Sequence, residues 1–255
     1  MQLLRSFAIA LSMYSKLPVP MVEWNEKNMK YAMCFFPVIG AVIGGLQLLA
    51  AYVLTGYTSC GRFFTAVVMT LIPVAVTGGI HLDGFADTVD ALSSYGDREK
   101  KLEILKDPNT GAFAVIWLCA YFAAALGLWT ELPAGQLPVV ACTYVLSRSL
   151  SGISVVTFHA AKNSGLLKTF QDGAQKKKVR VVLIIWACAA AAVMIRLSVL
   201  SGVAAVLAAG IIFFYYDRMS RKQFGGITGD LAGYFLQVCE LAMLAAVVMS
   251  SIVLR

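Results

Sequence analysis

Asp83, Asp87 and Asp90 stand four and then three residues apart at the end of a long apolar run. If the helix continues past His81, this spacing sets the three carboxylates along one narrow face. Like charges held that close repel unless a cation or a proton sits among them. Hard oxygen donors in this pattern suit Mg²⁺ or a similar divalent ion. The stripe therefore predicts a metal site, with Asp83 and Asp87 as its catalytic members and Asp90 as a further ligand. The plain alternative is a solvated helix end that needs no partner. Gly84 removes a side chain where a phosphate or a second helix could approach closely, and is a candidate substrate contact. His81 is a candidate general base or ligand, against the simpler reading of an interfacial hydrogen-bonding residue.

A second candidate lies at Phe224-Gly225-Gly226-Ile227-Thr228-Gly229-Asp230. Glycines with a threonine and an aspartate at a helix N-terminus suit an anion or a metal, because free backbone N–H groups point outward there. Thr228 and Gly229 are read as substrate contacts and Asp230 as a metal ligand. Gly78-Gly79-Ile80-His81-Leu82-Asp83 shares the pattern Gly-Gly-Ile-x-x-Asp with Gly225–Asp230, with no wider repeat. Arg148, within an apolar run, needs an anionic partner. The expectation is one of the aspartates or a substrate phosphate. Glu240 needs a partner as well. Lys106-Asp107 follow a basic amphipathic stretch, 97–105, read as an interfacial helix with charge pairs four residues apart.

The elements that must position these groups are membrane helices. The chain of 255 residues is 59% hydrophobic and 14% charged, with a mean hydropathy of +0.76. Soluble domains run at about 45–50% and 25%. Apolar stretches near the roughly 20 residues needed to span a bilayer fall at 31–55, 62–80, 111–130, 137–158, 179–197, 199–217 and 235–254. Fold class is thus all-α: one polytopic bundle of about seven transmembrane helices in a single domain, 1–255. The fifth and sixth form a tight hairpin. An N-terminal interfacial or re-entrant helix ends at Leu17-Pro18-Val19-Pro20, its apolar core being too short for a cleaved signal.

The net charge of +7 sits in alternate connections, around 97–106, 162–180 and 218–222, whereas those near 56–61, 130–136 and 197–201 are nearly uncharged. That is the positive-inside pattern. It places the basic loops and the candidate site in the cytoplasm, and favours anionic lipid over nucleic acid as the partner of the lysines. The six cysteines lack metal-ligand spacing and read as small buried hydrophobes.

Gly79–Asp90, Lys106-Asp107 with Gly111-Ala112-Phe113, and Gly225–Asp230, in this order, resemble cobalamin synthase, the adenosylcobinamide-GDP ribazoletransferase family. Leu17–Pro20 and Phe36-Pro37-Val38-Ile39-Gly40 resemble its opening, so the likeness runs over nearly the whole chain. Two departures stand out: Pro108-Asn109-Thr110 in place of a Ser-Arg-Ile-like stretch, and Gly165-Leu166-Leu167 in place of Gly-Leu-Gly. The resemblance implies an Mg²⁺-dependent transferase of the inner cell membrane. It would join adenosylcobinamide-GDP to α-ribazole or its 5′-phosphate and release GMP. Lys106, Asp107 and Arg148 would join Gly84, Thr228 and Gly229 in contacting substrate. The lipid bilayer is the remaining partner, and the reading allows a homo-oligomer.

Two rivals are weighed against it. A CDP-alcohol phosphotransferase also sets carboxylates on a membrane helix, but its motif places Ala-Arg after the first Asp-Gly and two later aspartates that are missing here. A cation-coupled transporter requires broken helices in matching halves near the bilayer middle, whereas these polar motifs lie at the helix ends. A purely structural membrane subunit leaves the carboxylate stripe unexplained.

Overall fold

The computed structural model describes residues 1–162 and 166–253; Gly165, one of the departures noted above, lies outside them. Each named element of secondary structure among the described residues is a helix. This suits an apolar chain, because away from water a helix satisfies its backbone groups internally.

The chain opens with α1 (Gln2–Tyr14), which stops ahead of the Pro18-Val19-Pro20 turn as expected. Ser6 Oγ donates to the Asn28 carbonyl at 2.6 Å and ties α1 to the short α2 (Glu26–Met29). A tight turn over Ala32–Phe35 leads into α3 (Phe36–Tyr57). Pro37 sits in its first turn, where a missing N–H costs nothing. Next come α4 (Arg62–Thr77) and α5 (Ile80–Ser93). Sequence reading ran one helix through this region; instead α5 turns away from α4 by 96°. The cause is local. Gly78 and Gly79 adopt φ of +68° and +81°, a left-handed conformation that stops a helix and that side-chain-bearing residues resist.

The amphipathic stretch forms α6 (Arg98–Ile104), capped by the Asp97 carboxylate, which accepts from the Lys100 N–H at 2.8 Å. Its ion pair, Lys100–Glu103 at 3.0 Å, spans three residues rather than the expected four. Then follow α7 (Ala112–Glu131), α8 (Leu137–Thr157), the unanticipated α9 (Leu166–Gly173), α10 (Lys176–Leu197), α11 (Val199–Phe224) and α12 (Gly229–Val253). Ser198 alone separates α10 from α11, the expected hairpin. Among the described residues six helices are long and apolar enough to cross a membrane, and the bent α4–α5 pair taken as one crossing makes seven.

Most of α8 is buried, whereas α7, α10 and α11 are largely uncovered. The sequence of α8 permits its central place. Its Ser and Thr hydroxyls bond back to their own helix, as Ser149 Oγ does to the Val145 carbonyl at 2.7 Å. Gly40 and Gly44 of α3 press on its backbone at Tyr144 and Ala141, the small-residue approach that membrane helices use. Cys119 and Cys188 lie on the outer helices α7 and α10 and are exposed, as is Cys60. This corrects their reading as buried: a thiol on a peripheral helix faces outward. Cys34 and Cys239 are buried.

The connections meet at one end of the bundle. The Ile227 N–H donates to the His159 carbonyl at 2.8 Å, and the Ala161 N–H donates to the Ile227 carbonyl at 2.9 Å. Lys162 Nζ donates to the Leu102 carbonyl at 3.3 Å. The segments after α5, after α8 and before α12 therefore gather where the acidic motifs lie.

Candidate active site

The site is built on the crossing of α5 and α12. A Cβ on Gly84 would stand 2.7 Å from the Asp230 carbonyl oxygen, and one on Gly233 would stand 3.0 Å from that of His81. The pairs 84 with 230 and 81 with 233 step in opposite directions along the two helices, so the helices cross antiparallel. Beside the crossing the Phe85 and Tyr234 rings stack at 5.8 Å. Gly84 therefore serves the close approach of a second helix, one of the two uses expected for it.

The shared Gly-Gly-Ile-x-x-Asp pattern marks two helix ends built alike at the first glycine: Gly225 at φ +74° matches Gly78 at +68°, whereas the second glycines differ, Gly226 at +155° against Gly79 at +81°. Each pair ends one helix and releases the next with an aspartate in its first turn. The antiparallel crossing then brings Asp83 and Asp230 together, although 147 positions separate them in the chain. Gly84→Ala would drive a methyl group into the backbone of Asp230, which cannot yield as a flexible side chain would. The expected cost is about 1–3 kcal/mol, the usual range for overpacking. It is to be read as a lower melting temperature in detergent against Gly127→Ala, whose new Cβ meets nothing within 4 Å.

Asp83, Asp87 and Asp90 share one helix, as the spacing requires. The negative charges of Asp83, Asp230 and Asp90 all bear on the Asp87 carboxylate, so the stripe and the second motif form one electrostatic cluster. Asp90 packs against Gly111, the N-cap of α7, where the helix dipole favours an anion. Thr228 Oγ1 accepts from the Leu231 N–H at 3.2 Å and donates to Asp230 Oδ2 at 3.3 Å, so it both caps α12 and steadies the aspartate. Gly229, the first residue of α12, is exposed.

Asp83, Asp230 and Gly229 open onto a cavity of about 310 Å³. Its apolar wall includes Tyr14, Met33, Phe36, Val155 and Phe170, and Lys162 and Lys168 also line it. Sequence reading missed the wall. Its residues come from α1, the turn before α3, α3 itself, α8 and α9, and no spacing within any one of them marks a pocket. His81 also lines this cavity. It is not the interfacial hydrogen-bonding residue of the simpler reading: it is buried, lies 6.2 Å from the Tyr14 ring and 5.9 Å from that of Phe36, and its Nε2 has no partner among the described residues.

Four expected substrate contacts stand apart from the cavity wall: Gly84, taken up by the helix crossing, and Arg148, Asp107 and Lys106. Arg148 Nη1 pairs with Glu240 Oε1 at 2.7 Å, and Ser147 Oγ donates to the same oxygen at 2.8 Å. This corrects the expectation of an aspartate or a phosphate as its partner. Both groups are buried in the bundle, and each supplies the charge the other lacks. Asp107 Oδ1 accepts from the Asn109 N–H at 2.9 Å and from Asn109 Nδ2 at 2.7 Å, bonds that hold its carboxyl below the usual range and shape the loop. Lys106 is exposed beside it and lies within electrostatic reach of Lys162.

Among the described residues no three His, Cys, Asp or Glu side chains converge as a ready-made metal cage. The donor set nonetheless suits Mg²⁺, which is usually held by one or two carboxylates together with substrate phosphates and water rather than by an all-protein cage.

Comparison with known proteins agrees over nearly the whole chain. A family model described as cobalamin-5-phosphate synthase matches residues 6–248. The adenosylcobinamide-GDP ribazoletransferase of Lachnoclostridium phytofermentans is 45% identical over 255 residues, covering 100% of this chain and 97% of that protein. The protein of the same name from Clostridium perfringens (strain 13) is 34% identical over 238 residues, covering 92% and 94%. That from Treponema denticola is 33% identical over 258 residues, covering 95% and 96%. No solved structure matches. The chain belongs to the cobalamin-5-phosphate synthase family.

Proposed function

We propose that this protein transfers the phosphorylated cobinamide of adenosylcobinamide-GDP to α-ribazole or its 5′-phosphate, releasing GMP. The observation that carries the reading is the family match across residues 6–248, which takes in both acidic motifs of the crossing. In the reaction a ribose hydroxyl attacks the phosphorus next to the aminopropanol linker. The new P–O bond forms as the bond to GMP breaks, and GMP leaves with the electron pair. Such a transfer needs positioning and charge neutralisation more than a protein nucleophile. Asp83 and Asp230, which line the cavity, would hold Mg²⁺, with the charges of Asp87 and Asp90 behind them off the cavity wall; the ion would supply neutralisation of the charge on the diphosphate. The chain itself supplies two fixed helix starts, a carboxylate cluster at the cavity, and apolar walls that keep bulk water from the acceptor.

The test is direct. Purified protein in detergent, given adenosylcobinamide-GDP and α-ribazole, should release GMP with Mg²⁺ and fall silent with a chelator. Absence of product under both conditions would overturn the reading. The transporter alternative called for broken helices in matching halves. Among the described residues only α4–α5 has such a break; Gly225-Gly226 lies in the turn between two complete helices.

The basic connections further support a site facing the cytoplasm across the inner membrane. Cysteines placed at Lys100, Lys176 and Lys222, in a chain cleared of its native thiols, should resist an impermeant thiol reagent in intact cells. Labelling of any one from outside would refute a single cytoplasmic face.

A further inference from the structure

Two lysines line the cavity beside the crossing, and they differ in what holds them. Lys168 pairs with Asp172, at 2.8 Å and four residues on. Lys162 has no carboxylate at ion-pair distance among the described residues; its Nζ meets only the Leu102 carbonyl, at 3.3 Å. It is nevertheless held in place. The bonds between Ile227 and the backbone of His159 and Ala161 fasten the segment just before it to the turn that starts α12, and Gly226 packs against the same stretch. Burial pushes the Lys162 ammonium down from its ordinary range and the Lys106 charge adds to this, while the Asp230 carboxylate opposes it. A part-buried cation with one carbonyl bond and no close ion pair is stabilised by an anion with several acceptor oxygens.

The rest of the cavity describes the molecule that would bring that anion. At about 310 Å³ it lies at the small end of the roughly 300–1,000 Å³ typical of ligand sites. That is the scale of a nucleoside and well short of a corrinoid. Tyr14, Phe36 and Phe170 offer aromatic faces suited to a flat heterocycle. Asp83 and Asp230 line the same cavity as Lys162, and Lys162 is within electrostatic reach of Asp230. An acceptor nucleoside laid here has its base among the rings, its ribose hydroxyl at the carboxylates and its 5′ end at the lysine.

Resting on the transfer reaction proposed above, we infer that this cavity is the acceptor subsite and that Lys162 is its specificity-determining residue, binding the 5′-phosphate of a phosphorylated acceptor. The donor's diphosphate is the other source of phosphate, and the experiment separates the two. Dissociation constants of α-ribazole, α-ribazole 5′-phosphate and adenosylcobinamide-GDP are measured by titration on the full chain in detergent. Wild type should bind the phosphorylated acceptor more tightly than the unphosphorylated one. Lys162→Met should reduce that preference about tenfold or more, the worth of one charged hydrogen bond, while donor affinity holds. Lys162→Arg should restore most of it, which loss of fold would not allow. A preference unmoved by Lys162→Met, or a loss confined to the donor, overturns the inference and leaves the transfer reaction standing. Wild-type protein that binds neither acceptor nor donor and forms no GMP overturns the transfer reading itself.

Discussion

Asp83→Asn, Asp87→Asn and Asp230→Asn each lower GMP release by on the order of 100-fold or more, with the protein still inserted and folded. The size follows from removing a charged ligand, or the charge behind one, at a metal-assisted transfer. Asparagine keeps the volume and one oxygen of the side chain, so packing at the crossing is spared. The shared Gly-Gly-Ile-x-x-Asp pattern raises a sharper expectation, and the crossing gives it a physical basis. Asp83 and Asp230 flank one helix crossing, and the charge of Asp230 bears on Asp87. The Asp87→Asn and Asp230→Asn losses should therefore combine far below their product, because groups that act as a unit are not additive. Turnover of both single mutants and the double mutant is followed across a Mg²⁺ titration. Losses that multiply, with an unchanged Mg²⁺ dependence for Asp230→Asn, would leave Asp230 as a helix-start residue outside the metal shell.

Glu240→Ala should be among the most destabilising single changes in the chain. Arg148 is 1% exposed, and removing its carboxylate leaves a guanidinium among apolar helices. Breaking a buried pair by deleting one partner costs about 3–5 kcal/mol. The melting temperature in detergent should fall accordingly, and Arg148→Met should fall with it because it strands Glu240. Replacing both, as Arg148→Met with Glu240→Leu, removes the unpaired charge and should recover much of the loss. The same double mutant separates two roles for Arg148. If the pair only holds α8 to α12, the KM for adenosylcobinamide-GDP stays near wild type. A steep rise in KM at normal stability would return Arg148 to the substrate.

Some of this molecule could be read from the chain because the signals were local. A hydrophobic run of bilayer length has few other uses, so the unbroken membrane helices and the tight hairpin at Leu197-Ser198 follow from the apolar runs alone. The register of Asp83, Asp87 and Asp90 on one face follows from the helical repeat. The stretch 97–105 reads as a short helix from its charge pattern, and the structure adds that Asp97 stands outside α6 as its cap. The glycine pairs were visible as a repeated pattern, although their left-handed backbone and the 96° turn after Thr77 were not. A glycine permits such a conformation without requiring it, and the surrounding packing makes the choice.

What only the tertiary structure decided were the pairings of distant groups. Nothing in the sequence says that Arg148 meets Glu240 rather than an aspartate. Both sit on long apolar helices, and which charge a buried guanidinium finds depends on which helices touch. The same holds for the cavity wall, drawn from four separate helices and a turn, and for Lys162, which reads as one more basic loop residue until the backbone of Ile227 fixes the segment just before it. The carboxylates and glycines were written in the chain as types and spacings; their convergence at one crossing is a property of packing, where two glycines let α5 and α12 approach closely enough for Asp83 and Asp230 to share one site.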